Sequence, residues 1–204
     1  MGMEYYLQTP LTESNVRKLK IGDVVYLSGL IHTARDEAHM YILKELTEGR
    51  CIDICLDGAA IYHCGPIVRI EDGCWKVVAA GPTTSSRMNA LEPEFIEKTG
   101  AKAIIGKGGM SRTVAEVMKR LGAVYLAFTG GAAVVAADSI RKVAGVYFLE
   151  LGMPEAVWIF DVENFGPLIV GIDSSGQSLF DNIYEHVKMN LKQVRKKLGI
   201  NNVL

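Results

Sequence analysis

Apolar and polar positions along the chain change rhythm several times, and each change predicts an element. DVVYLSGLIHTA, residues 23–34, is β-branched and apolar behind Gly22 and predicts a strand. RDEAHMYILKELTEG, residues 35–49, spaces Ala38, Ile42 and Leu43 as one helical face and ends on Gly49, so a helix is expected. Residues 51–80 alternate short apolar runs with the turn sequences LDG, CGP and EDG, the pattern of hairpins or a small meander. From residue 75 onward, strand, glycine-containing turn and helix follow one another three times. The strands are WKVVAA, KAIIG and AVYLAF; the turns are GPTTSSR, GKGGMS and TGG; the helices run through LEPEFIEKTG, RTVAEVMKRLG and AAVVAADSIR. Such alternation predicts βα units on a parallel sheet, and Pro93 fits the first of these helices only within its first turn. Residues 145–173 return to β character, with breaks expected at Gly152-Met153-Pro154 and at Gly166-Pro167. A last helix over about 178–198 carries Ile183, Val187, Leu191, Val194 and Leu198 as an apolar stripe, expected to pack on the domain itself. Lys192, Arg195, Lys196 and Lys197 at its end complement the helix dipole and read as a solvated face.

With 204 residues, no internal repeat and no evident linker, residues 1–204 are expected to form a single domain of mixed β and α/β parts. Hydrophobic residues make up 49%, charged residues 22%, and the formal net charge is -1, which argues against disorder and against a nucleic-acid surface. No apolar run is long enough to cross a bilayer and the N-terminus does not read as a signal peptide, so no membrane partner and a cytoplasmic location are expected. Met3 follows Met1-Gly2 closely enough that the first two residues are open to being a cloning remnant. Cys51, Cys55, Cys64 and Cys74 match neither a paired zinc motif nor the ferredoxin spacings. They are read as buried structural thiols and not as disulfides, and no metal ligand set is assigned to this chain.

In an open α/β sheet, ligands gather at the carboxyl ends of the strands, where helix N-termini present free N–H groups. All three strand-to-helix turns are expected to open onto that edge. The first offers Thr83, Thr84, Ser85, Ser86 and Arg87, the second Lys107 among Gly106, Gly108 and Gly109, and the third bare backbone at Gly130-Gly131. GKGGMS has no Ser or Thr directly after Lys107 and is not a phosphate-loop sequence. The residues therefore point to a site for a small multiply charged anion, with Arg suited to a bidentate grip on a carboxylate. A hydroxyl is a possible proton-transfer group where neighbouring positive charge depresses its pKa.

At GPTTSSRM, GKGGM, ELGMPEAVW and FGPLIVGID the chain resembles the β subunit of the iron–sulfur hydro-lyases, the class I fumarate hydratases and L(+)-tartrate dehydratases. The resemblance covers nearly the whole chain, from GDVVYLSG to GIDSSG. It implies a swivelling β/β/α domain and an α/β fold class. It also implies a [4Fe-4S] cluster held by a partner α subunit, not by this chain, and an α2β2 complex. By the resemblance Thr83 is the base that removes the C3 proton of malate, and Lys107 holds substrate and favours deprotonated Thr83. Arg87 and Arg35 take up substrate carboxylates, and His39 lies at a matching histidine, to be read either as substrate-binding or as a helix-face residue. The implied reaction is reversible hydration of fumarate to L-malate, active only with the partner. Dehydration of L(+)-tartrate stays open, because KGGM replaces the KGNRS of single-chain fumarases. A dicarboxylate-binding module without chemistry is a further alternative.

Overall fold

The computed structural model describes residues 2–200; Met1 and the side chain of Lys192 lie outside the described residues. The chain begins with β1 (Glu4–Gln8), α1 (Glu13–Val16), β2 (Val24–Thr33), α2 (Asp36–Thr47), β3 (Ala60–Tyr62), β4 (Ile67–Glu71) and β5 (Cys74–Ala79). It continues through α3 (Glu92–Thr99), β6 (Ala103–Gly106), α4 (Arg112–Leu121), β7 (Val124–Ala127), α5 (Ala133–Asp138), β8 (Ile140–Tyr147), β9 (Val157–Ile172) and α6 (Leu179–Lys197).

Seven strands form the main sheet in the order β1-β2-β3-β6-β7-β9-β8. Neighbours from β1 to β7 run parallel, as the βα rhythm predicts, whereas β9 runs antiparallel to β7 and to β8. The long β9 also pairs with β2, from Val24↔Ile169 to His32↔Ile159, so β2, β3, β6, β7 and β9 form a closed circuit of ladders. Closure follows from length: the last residues of β9, Ile169 to Ile172, reach β7 while Ile159 to Ile169 lie along β2.

Side chains alternate across this wall with a period of two. Ala103 and Ile105 of β6 face an inner cluster with Leu27, Tyr62, Trp158, Phe160 and Phe165. Ile104, between them, faces an outer cluster with Ile42, Phe95, Val114 and Met118 from α2, α3 and α4. Each fully buried large side chain contributes about 1.5–3 kcal/mol, so both faces of β6 hold the fold. The helices stop where the sequence allows: α3 begins with Pro93 in its first turn and ends at left-handed Gly100, whose N–H donates to the Ile96 carbonyl.

Four expectations are corrected. The WKVVAA strand belongs to no parallel unit: β5 pairs only with β4, in a separate antiparallel hairpin. Its Asp72-Gly73 turn has φ of 51° and 76°, the two left-handed residues that a two-residue hairpin loop of matching twist requires. The hairpin lays one face on the inner cluster, with Trp75 edge-on to Trp158 at 5.2 Å. Within the predicted meander, β3 instead joins the main sheet between β2 and β6. At Gly166-Pro167 the strand does not break. The register slips by one residue between Leu27↔Phe165 and Val25↔Leu168, a bulge that absorbs the proline, which has no N–H to give the ladder. Finally, the α6 stripe does not pack on the domain: Ile183, Val187, Leu191, Val194 and Leu198 are all exposed.

The two apolar strands should therefore differ in their response to truncation. Ile104→Ala is expected to lower the unfolding free energy by about 2–5 kcal/mol, while Val78→Ala on the solvent face of β5 changes it by under about 0.5 kcal/mol. Urea denaturation of the two variants checks this.

Candidate functional site

β3 and β6 stay hydrogen-bonded as far as the His63 N–H, which donates to the Ile105 carbonyl at 2.8 Å. Beyond that point residues 82–85 lie between them. Pro82 bridges Cys64, and the Thr83 N–H donates to the His63 carbonyl at 2.6 Å. On the other side the Lys107 N–H donates to the Thr83 carbonyl at 3.2 Å, and the Ser85 N–H donates to the Lys107 carbonyl at 2.9 Å. Both backbone groups of Thr83 are thus fixed by the outgoing ends of two parallel strands. Gly106 makes the insertion possible, because a Cβ there would collide with Ser85 Oγ. The first turn reaches the strand edge, as expected, although it is delivered by a hairpin and not by a parallel strand.

The charged residues expected at the edge come together around this insertion. The Arg35 guanidinium lies against Gly65, where a Cβ would stand 2.6 Å from Nη1, and pairs with Glu155 at 3.1 Å. Arg87 follows one short turn after Thr83 and grips Asp36 through two nitrogens, at 3.0 and 3.2 Å. Asp36 neighbours Arg35 at the start of α2, so the two arginines, Thr83 and Lys107 share one rim. Lys107 runs its aliphatic stem past Gly130, and takes part in no ion pair among the described residues. Thr84, Arg87 and Gly108 are exposed and leave the rim open to solvent.

His39 departs from the substrate-binding expectation. Its side chain is fully buried in α2, with Nδ1 donating to the Arg35 carbonyl at 2.8 Å and Nε2 3.6 Å from Glu92 Oε2. The same carboxylate oxygen lies 3.0 Å from Nε2 of His63, also fully buried. The first contact is too long and the second too poorly aligned for a hydrogen bond, so both are coulombic. His63 Nδ1 meets Ser85 Oγ at 2.9 Å, the Tyr125 hydroxyl donates to Ser85 Oγ at 3.1 Å, and the Gly109 N–H donates to the Tyr125 oxygen at 3.3 Å. This polar chain runs beneath the rim and touches each loop that carries a candidate residue. Sequence reading missed His63, Glu92 and Tyr125, and named Ser85 only as one of the hydroxyls of the first turn. A glutamate in the first turn of a helix has an ordinary explanation in the macrodipole, and nothing in the spacing signals its burial.

Burial alone pushes the Glu92 carboxyl up, but His63 and His39 outweigh it and hold the group at about 2. Burial pulls His39 down, yet the Glu92 carboxylate reverses this and raises it, while His63 is lowered by burial. Glu92 is thus favoured as the carboxylate, and of the two rings His39 holds a proton more readily than His63.

His39, His63 and Glu92 are also the group of three metal-capable side chains that converges among the described residues. The cysteines do not converge. Cys51, Cys55 and Cys74 are exposed, which corrects the expectation of burial, and only Cys64 is buried, its thiol pushed up by burial and so held protonated. They do not fit an iron–sulfur cluster, whose thiolates must meet at one centre.

Glu92→Gln should lower stability at neutral pH by about 3–5 kcal/mol. It should also flatten the pH dependence. In the wild type the unfolded chain takes up protons at His63 below its ordinary 6.5 and at Glu92 below its ordinary 4.5 that the folded chain refuses, so stability falls with pH toward 2. The His39 contribution is present below 6.5 and is lost as pH rises through its raised value. Denaturation midpoints between about pH 4 and pH 9 measure both limbs.

The sequence pattern of the fumarase C-terminus family matches residues 3–183, which include every residue of this rim and of the chain beneath it. A Methanocaldococcus jannaschii protein provisionally named L(+)-tartrate dehydratase subunit beta is 48% identical over 193 residues, 94% of this chain and 98% of its own length. The L(+)-tartrate dehydratase subunit beta of Escherichia coli K12 is 44% identical over 177 residues, 87% of each chain. A Geobacillus stearothermophilus protein provisionally named class I fumarate hydratase is 42% identical over 191 residues, 93% of this chain and 36% of its own. These names are those of hydro-lyases. With nearly its whole length matched by full-length relatives and by the family pattern, the chain belongs to the fumarase C-terminus family.

Proposed function

We propose that this chain is the β subunit of an iron–sulfur hydro-lyase that interconverts fumarate and L-malate, with Thr83 moving the proton at C3. The observation that carries this reading is the backbone fixation of Thr83 between His63 and Lys107, beside a lysine that pairs with no carboxylate among the described residues. A threonine hydroxyl is a poor base in water; a nearby ammonium favours its alkoxide. Lys107 fills that role and adds charge to hold an anion.

Arg35 and Arg87 take the two carboxylates. Each already pairs with a carboxylate, Glu155 and Asp36 respectively, so a substrate carboxylate replaces one of the same charge and shape. His39 acts through Arg35: its Nδ1–H holds the Arg35 carbonyl and with it the start of α2. It is a positioning residue. In the dehydration direction the C3–H bond breaks, its proton passes to deprotonated Thr83, and the electron pair forms the double bond as the C2–O bond breaks and the hydroxyl leaves with its bonding pair as hydroxide, which becomes water on taking up a proton. A cluster seated on an α subunit in an α2β2 complex would supply Lewis-acid polarisation of that hydroxyl. The fold is read as the swivelling β/β/α type, which brings this rim against the partner. Among the described residues no helix is long and apolar enough to cross a membrane, and the enzyme is read as cytoplasmic.

L(+)-tartrate dehydration is the second reading, favoured by the names of the Methanocaldococcus and Escherichia relatives. Tartrate differs from malate by one hydroxyl, which a pocket not shaped for it rejects only weakly. A binding module without chemistry needs no positioned Thr83.

Anaerobic co-expression with the cluster-bearing subunit, followed by assays on fumarate, L-malate and L(+)-tartrate, tests the proposal. Thr83→Ala should lower kcat by about 10²–10⁴-fold with the complex intact. Arg87→Lys should chiefly raise KM, by roughly 10–100-fold, since it loses the bidentate grip. An intact, cluster-loaded complex inactive on all three compounds refutes both substrate readings. Activity on tartrate alone replaces fumarate by the second.

A further inference from the structure

The strongest unassigned feature is α6. Ser178 caps it, accepting a hydrogen bond from the Asp181 N–H, and Phe180 seats its first turn against Tyr125 and Gly109. From Tyr184 on the helix leaves the domain. Tyr184, Val187, Leu191, Val194 and Leu198 are 44–66% exposed. Their spacing of three, four, three and four residues is the seam of a two-helix coiled coil, about 21 Å long at 1.5 Å per residue. An isolated helix with such a seam in water is marginal. All but the start of α6 also lies beyond the family-matched residues 3–183.

We infer that this seam pairs with α6 of a second copy of the same chain, antiparallel about a two-fold axis near Met189. Charge fixes both the occupant and the direction. The first turn of α6 carries Asp181 and the last turn carries Arg195, Lys196 and Lys197. An antiparallel pair places each copy's acidic start beside the other's basic end, whereas a parallel pair stacks the two basic ends together. In the antiparallel register Tyr184 packs on Val194 of the second copy and Val187 on Leu191. The two-fold axis repeats both layers, and Asp181 flanks Arg195 at each end. The contact is isologous, so it closes as a dimer and does not propagate.

Sedimentation equilibrium of the purified full chain at up to about 200 μM, a range suited to a small interface, should show a monomer–dimer equilibrium. Leu191→Asp should abolish it. Arg195→Glu should weaken it about tenfold or more, and Asp181→Arg combined with Arg195→Glu should restore it to within about threefold. Circular dichroism checks that each variant keeps the helix. A monomeric full chain, a dimer indifferent to Leu191→Asp, or failure of the charge swap to rescue would overturn the inference. So would dependence of capture of a cluster-bearing subunit, and not self-association, on Leu191.

Discussion

The structure depends on four backbone contacts that wedge residues 82–85 between the outgoing ends of β3 and β6. Parallel strands normally continue side by side, and here they part to admit a third segment. The insertion gives Thr83 a backbone partner on each side, which few loop residues have. It also explains the glycine at 106, since the serine hydroxyl occupies the space a side chain would need. The hydroxyl-rich sequence after β5 is therefore interior architecture at Ser85, half-buried at Thr83 and exposed at Thr84.

Beneath the wedge, charge is buried where water cannot reach it. A carboxylate between two imidazoles is expensive to desolvate, and it persists because the three groups together can be electrically neutral. The start of α3 adds to this, since Glu92 lies in the first helical turn, where the N–H groups face it. The neutral assembly ties α2, α3, β3 and the loop after β6 to one point. The rim above then inherits its geometry from a rigid base and not from its own exposed side chains.

Much of the fold was legible because it rests on periodicity. β2, α2, β6, α4 and β7 lie close to where alternation and helical spacing put them. Periodicity says which face of an element is apolar but not which neighbour covers it. That is why β5 was assigned to the wrong sheet and why the α6 stripe was expected to pack inward. Asp72-Gly73 held the deciding information for β5, since a hairpin turn at its start pairs it with β4. At the rim, Thr83, Arg87 and Lys107 were readable as cations and a hydroxyl in strand-to-helix turns, whereas Arg35 stood out only through the family resemblance. His63 and Glu92 were not, because a lone histidine at a strand end and a lone glutamate at a helix start acquire their meaning only when the fold brings them, 29 positions apart in the chain, to 3.0 Å.

The internal pairing of both arginines has an electrical consequence. Arg35 and Arg87 are neutralised by Glu155 and Asp36, leaving Lys107 as the unpaired cation of the rim among the described residues. A dianion approaching from solution therefore meets a weak field, and long-range attraction does little to speed its arrival. On the proposed function, selectivity would come at contact instead, when one carboxylate changes places with another. A monoanion with a single carboxylate would displace Asp36 or Glu155 but not both. The proposed site would count carboxylates by exchange rather than by attraction.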